Sequence, residues 1–176
     1  MMRRFKRIDL TNATEDYFLK VGEEAYISFS NVTQVPLHIA TQDGTYYEMH
    51  IIPSNTGGTT GGVSANYELY PNNTTYTNQF VVAGFYRIST GLNSVYATES
   101  HFPLGAYYAT PTAWITNRAN YKNVRVVWST YGVNSAWPYI LVASTDWRDT
   151  TTPWESLGTI KFPQSTSGEI LVRRLR

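Results

Sequence analysis

Cysteine is absent from all 176 residues, which excludes disulfides and thiolate metal sites and leaves packing or subunit contacts as the source of stability. Charge is sparse and balanced, with 14 Lys plus Arg against 13 Asp plus Glu. The net charge of +1 creates no general field to draw in nucleic acid or an anionic membrane, so neither is expected as a partner. Long apolar runs are also missing: the stretches at 80–86 and 139–143 are strand-sized and fall short of the roughly 18 residues that a spanning helix needs. The first ten residues alternate charged with apolar side chains and lack the apolar centre of a secretory signal, so export by that route is not expected. Asn-x-Ser/Thr triplets begin at Asn12, Asn31, Asn72 and Asn73. Without a secretory route they read as chance occurrences in a Thr-rich chain rather than glycosylation sites.

What the chain does contain is ring side chains. Fourteen Tyr, 7 Phe and 5 Trp accompany abundant Thr and Val, the residues that suit a pleated, half-buried surface. The length fits one domain, 1–176, large enough to bury a sizeable core. Bulky residues recur with a period of two in Phe5-Lys6-Arg7-Ile8-Asp9-Leu10 and in Ala25-Tyr26-Ile27-Ser28-Phe29-Ser30, the pattern of strands with one face on a core. Asp43-Gly44, placed between Leu37-His38-Ile39-Ala40 and Tyr46-Tyr47-Glu48-Met49-His50-Ile51, predicts a tight hairpin over 36–52. Further strands are predicted at 66–70, 80–88, 94–98, 124–130, 139–144, 159–162 and 169–175. About ten to twelve short strands separated by turns indicate an all-β fold, an antiparallel β-sandwich of jelly-roll character. Two segments break the pattern. Residues 53–64, with Thr56-Gly57-Gly58-Thr59-Thr60-Gly61-Gly62, have almost nothing to bury and read as a surface loop. Residues 101–122 carry Pro103, Gly105, Pro111, Tyr107, Tyr108, Trp114 and Tyr121 in irregular order and read as a long loop folded onto the sheet, or an arm that packs on a neighbour.

No catalytic set can be assembled. Only His38, His50 and His101 are available as imidazole bases, and no serine sits in a Gly-x-Ser-x-Gly elbow. His38 and His50 lie on the two arms of the predicted hairpin, but a zinc-like site wants three or four ligands and only Glu48 or Glu99 is on hand to complete one, so no metal or cofactor is expected. The Gly-rich run at 57–62 lacks the following Lys-Ser/Thr and the helix that phosphate cradling requires. The pairs Glu15-Asp16 and Glu23-Glu24 are adjacent in sequence, and neighbours on a strand point to opposite faces, which suits no cooperating acid and base.

The aromatic residues invite two readings. Trp114, Trp137, Trp147 and Trp154 fall near predicted loops or strand ends, where exposed rings can stack on sugars. Core and subunit interface are the more common uses of such rings, because each buries a large area at modest entropic cost. Trp128, inside 124–128, reads as core. The candidate interface or glycan contacts are therefore Tyr107, Tyr108, Trp114, Trp137, Trp147 and Trp154, together with Arg173 and Arg174 near the end of the sequence. Basic clusters at Arg3, Arg4, Lys6 and Arg7 and at Arg173, Arg174 and Arg176 read as charged faces of edge strands that block unwanted pairing. The other reading is a basic end that docks on an acidic neighbour.

Trp154-Glu155-Ser156-Leu157-Gly158-Thr159-Ile160-Lys161-Phe162-Pro163, followed by Ser167-Gly168-Glu169-Ile170-Leu171-Val172-Arg173-Arg174-Leu175, resembles the closing hairpin of small β-rich structural proteins of tailed-bacteriophage virions. The resemblance covers that segment, and the remainder matches in character alone: rich in Thr, Asn, Tyr and Gly and free of cysteine. It implies a non-enzymatic homo-oligomer, for example a trimer, made in the host cytoplasm and carried on the outside of the virion as a capsid decoration or a tail or fibre component. Its partners would be further copies and other virion proteins. A carbohydrate-binding or receptor-binding module, contacting a bacterial surface glycan, is the alternative, and a hydrolase acting on cell-wall or capsule sugars stands behind both.

Overall fold

The computed structural model describes residues 5–54, 66–88, 91–106, 110–131 and 138–176. Among the described residues there are eleven strands: β1 (Lys6–Asp9), β2 (Glu23–Pro36), β3 (Thr45–Pro53), β4 (Asn66–Tyr70), β5 (Phe80–Ile88), β6 (Gly91–Glu99), β7 (Phe102–Ala106), β8 (Thr112–Arg118), β9 (Tyr121–Tyr131), β10 (Pro138–Trp147) and β11 (Thr159–Arg174). A short 3-10 turn, Pro71–Asn73, is the helical element of this set. The fold is all-β, as the composition requires. Alternation supplies the reason at each strand: on β3 Tyr47, Met49 and Ile51 are buried while Tyr46, Glu48 and His50 are not.

All eleven strands belong to one hydrogen-bonded network in the order β1-β2-β11-β3-β8-β9-β10-β5-β6, with β4 and β7 branching from β11. β11 is the hub. One of its edges pairs with β2 along most of its length, whereas the other pairs with β4 at Thr159 to Lys161 and with β3 from Gly168 to Arg174. The register against β2 shifts between Lys161 and Thr166 and again between Thr166 and Gly168, so a bulged bend lets one strand change neighbours. Gly168 sits at that bend with the Ile52 carbonyl oxygen where a Cβ would be. β4 and β7 lie over the inner face of the main sheet. Phe102 on β7 packs edge-on to Phe80 on β5 at 4.6 Å between centroids, and Tyr67 on β4 meets Phe162 at 5.2 Å, which stacks on Phe29 of β2 at 5.0 Å.

Four expectations need correction. The sheet is not purely antiparallel, because β1 runs parallel to β2 with Lys6 opposite Glu23. Residues 36–52 do not form a hairpin: Gly44 turns the chain at φ 84, but β11 lies between β2 and β3. His38 takes φ 51, which takes residues 37–40 out of β2 and lets Leu37 and Ile39 enter the core, with Ile39 bridging to Tyr17 and Ala40 to Ser156. Residues 101–122 are not an irregular arm, since β7, β8 and the start of β9 occupy most of them. Thr112 to Arg118 alternates with Ala113 and Ile115 buried, a strand pattern hidden by the smallness of alanine. Finally, the strands expected at 159–162 and 169–175 are not the two arms of a closing hairpin but parts of one central strand, Thr159–Arg174. The 53–64 loop lies, beyond Pro53 and Ser54, outside the described residues.

Candidate functional site

β3, β8 and β9 leave one face of the sheet open, and their registers decide which side chains meet there. Trp114 on β8 stands opposite Glu48 on β3 and Arg125 on β9; two residues on, Thr116 stands between Tyr46 and Asn123; two further on, Arg118 faces Tyr121 across the β8–β9 turn. Thr116 is small and its neighbours are large, so the face dips there. The result is an open cup of about 630 Å³ lined by Tyr46, Trp114, Thr116, Arg118, Tyr121 and Arg125. Trp114 and Tyr121 are 39 % and 42 % exposed. The Arg118 guanidinium carbon lies 5.5 Å from the Tyr46 ring centre, and that of Arg176 lies 6.0 Å from the same ring, so two cations lie at the range where the Tyr46 ring quadrupole attracts them.

Beside the cup runs a charge ladder. Arg173 on β11 donates from Nε to Glu24 at 2.6 Å and reaches Glu48 with Nη1 at 3.4 Å. Arg7 meets Glu24 from the other side at 3.4 Å, and His50 Nε2 contacts Glu48 Oε1 at 2.5 Å. Glu24 is buried, and two guanidiniums supply the compensation that burial of a carboxylate demands. Above the ladder the same face turns apolar. Val127 and Val142 are cross-strand partners and both are exposed, Val142 at 52 %, with Ile52 exposed two residues beyond His50.

On the inner face ring side chains pack against one another. Trp147 and Trp154 are buried, and Phe80, Phe102 and Tyr76 pack round them, with Phe102 stacked on Trp154 at 5.1 Å. As surface contacts these two tryptophans are therefore corrected: their rings complete the core, with Trp154 Nε1 donating to the Ser156 carbonyl at 2.7 Å and Trp147 Nε1 to Gln79 at 3.0 Å. Lys122 is buried beside them, its ammonium 4.2 Å from the Trp147 ring centre and donating to the carbonyls of Asp149 and Thr152. Desolvation lowers the pKa of that ammonium. Its role is to close the loop between β10 and β11. Asn72, with φ 52, ties the same loop down by donating to the Pro153 carbonyl at 2.8 Å and accepting from the Glu155 and Ser156 amides.

Of the other sequence candidates, Trp114 is exposed on the open face and lines the cup. Arg173 and Arg174 are not free cations of an edge strand: β11 is central, Arg173 is spent on the ladder, and Arg174 donates to the Leu19 carbonyl at 2.7 Å with its guanidinium over Phe18. Lys6 and Arg7 do lie on an edge, β1, and pair with Glu23 and Glu24. Tyr107, Tyr108 and Trp137 lie outside the described residues. The three histidines face three different acids, His38 Asp16 at 3.6 Å, His50 Glu48, and His101 Glu68 at 3.5 Å. Among the described residues no three His, Asp or Glu side chains group as a metal site. Tyr46, Thr116, Arg118 and Arg125 escape the sequence reading; the signal that finds them is the period of two along 112–118 and 121–127, once those segments are recognised as paired strands. Comparison with models of protein families, with curated proteins and with solved structures finds no match for this chain.

Proposed function

We propose that this chain is a non-enzymatic structural protein of a tailed-bacteriophage virion, assembling as a homo-oligomer on the particle exterior. The virion assignment rests on the resemblance of residues 154–175, which here run through a loop into one central strand. The assembly half of the reading rests on one observation: an exposed apolar strip on the open sheet face, centred on the Val127–Val142 pair and flanked by Ile52 and Trp114. Apolar side chains grouped on one face, beside charged rows, suit burial against a second copy. Mass photometry of the purified protein is expected to find an oligomer, and Val142→Glu to convert it to monomer without lowering the melting temperature of the monomer, since the side chain packs in no core. A wild-type protein that stays monomeric at tens of micromolar, and that fails to co-sediment with capsids or tails, would sink the proposal.

A second reading, a carbohydrate-binding or receptor-binding module, is favoured by the cup itself. Two half-exposed rings beside a small floor residue offer apolar plates of the kind on which a pyranose lays its C–H face, with polar groups at the rim to fix orientation.

A further inference from the structure

We propose that the cup formed by Tyr46, Trp114, Thr116, Arg118, Tyr121 and Arg125 binds a carboxylated sugar unit of an acidic polysaccharide, the ring lying on the aromatic plates and the carboxylate held by the guanidiniums of Arg118 and Arg125. This rests on the receptor-binding reading and adds to it the charge class of the glycan.

The arginines carry the argument. Neither Arg118 nor Arg125 makes an ion pair with any carboxylate among the described residues, although acids are close by in the fold. Those acids are already engaged: Glu48 by Arg173 and His50, Asp43 by the Ala119 amide at 2.7 Å, and Asp146 by Asn123 at 2.6 Å. Two planar donors thus remain at the rim of a concave aromatic site with no internal anion to satisfy them. A guanidinium matches a carboxylate fork for fork, which a lysine ammonium does not. Arg118 and Arg125 stand at opposite ends of the cup, across from Tyr121 and Trp114 respectively, so an anion at either end places the rest of its ring over Thr116 and between the plates.

The same parts exclude competing occupants. An acidic peptide carries its carboxylates and any ring on separate residues, so no one unit brings both to Trp114 and the guanidiniums together. Single-stranded nucleic acid supplies rings and charge together, yet it requires a positive groove that follows several phosphates, and this face is interrupted by Glu24, Glu48, Asp146 and Glu169. A hexuronate unit carries the anion and the apolar ring face on one residue, and the open cup of about 630 Å³ has room to seat such a unit.

The experiment is titration of the full chain with oligogalacturonate, oligoglucuronate and oligomannuronate, with a neutral galactose oligomer, poly-glutamate and a thymidine oligonucleotide as comparators, followed by tryptophan fluorescence and calorimetry. The expected result is binding of at least one uronate oligomer that weakens with added salt. Arg125→Gln and Arg118→Gln should each weaken it on the order of tenfold or more, the range for a charge-assisted hydrogen bond, and Thr116→Trp should abolish it with an unchanged thermal melt. If the neutral oligomer binds equally well and the arginine variants behave as wild type, the charge assignment is overturned while the glycan reading stands. If none of the sugars binds, both are overturned, and tighter binding of poly-glutamate or the oligonucleotide gives the cup to that ligand instead.

Discussion

Thr145 illustrates how much one side chain can reveal about a core. It lies on β10 opposite Val82 and Val124, fully buried, and its hydroxyl finds no hydrogen-bond partner among the described residues. An unsatisfied hydroxyl in an apolar setting costs free energy that a methyl group of the same shape does not. Thr145→Val is therefore expected to raise stability by about 1 kcal/mol, read as a higher denaturant midpoint at unchanged slope; a lower midpoint would mean that the hydroxyl has a partner in solution. Asn117, buried one layer away, behaves in the opposite manner: its amide donates to Thr41 at 3.1 Å and to the Trp154 carbonyl at 2.8 Å. Both residues occupy inward positions of strands where hydrophobicity alone would place an aliphatic side chain. That is one reason Thr112 to Arg118 is hard to recognise as a strand from its sequence.

At the level of elements, the strands with bulky alternating residues are legible and their partners are not. The periodicity over 66–70, 80–88 and 124–130 leads directly to β4, β5 and β9. Nothing local announces that β11 inserts between β2 and β3, because the choice of neighbour is settled by burial across more than a hundred residues of intervening chain. Asp43-Gly44 supplies a turn in both the hairpin and the observed arrangement, and the discriminating feature, a positive φ at His38, is one that histidine favours more than most residues yet adopts too rarely to be read from the sequence. The cup is half legible for the same reason: Trp114 stands out as a ring, whereas Arg118, Arg125 and Tyr46 become a site only when the registers of β3, β8 and β9 are known. Gly158 gives this scale its test. It leads into β11 at φ 91 with the Tyr70 carbonyl occupying the place of a Cβ, so Gly158→Ala must push β4 away from β11 or distort the turn. A loss of about 3 kcal/mol is expected in equilibrium unfolding, and a loss below about 0.5 kcal/mol would show that the backbone there yields freely.

For the molecule as a whole, acid is the condition under which the fold should weaken first. The Lys20 amide at 2.9 Å and the Tyr17 hydroxyl at 3.1 Å hold the pKa of Glu23 below its ordinary value. Thr152 and Thr151 lower that of Asp149 through hydroxyl and amide donors, and the Thr11 amide lowers that of Asp9. Each group binds its proton less tightly folded than unfolded. Their stabilisation is present in full above the unfolded values near about 4 and is lost as the pH falls through the lower folded values. Melting temperature is thus expected to stay level from about pH 7 to 5 and to decline below about 4, with Glu23→Gln flattening part of the decline. A melting temperature that rises on acidification would contradict the assignment of these three carboxylates. Glu23 and Asp9 lie where β1 joins β2 and Asp149 in the loop that closes the core, so the two regions are expected to loosen together.

Because β11 follows every other described strand in the chain yet sits between β2 and β3, a nascent polypeptide emerging from the ribosome has no way to join those two strands through backbone pairing until residues 159–174 are free. Until then β2 presents a bare edge, and the Glu24 carboxylate has Arg7 but not the second guanidinium, which lies 149 positions downstream. Synthesis order and sheet order are opposed in this molecule, so the sheet closes only after residues 159–174 have been made, and the interval before that is the period of greatest exposure to mispairing.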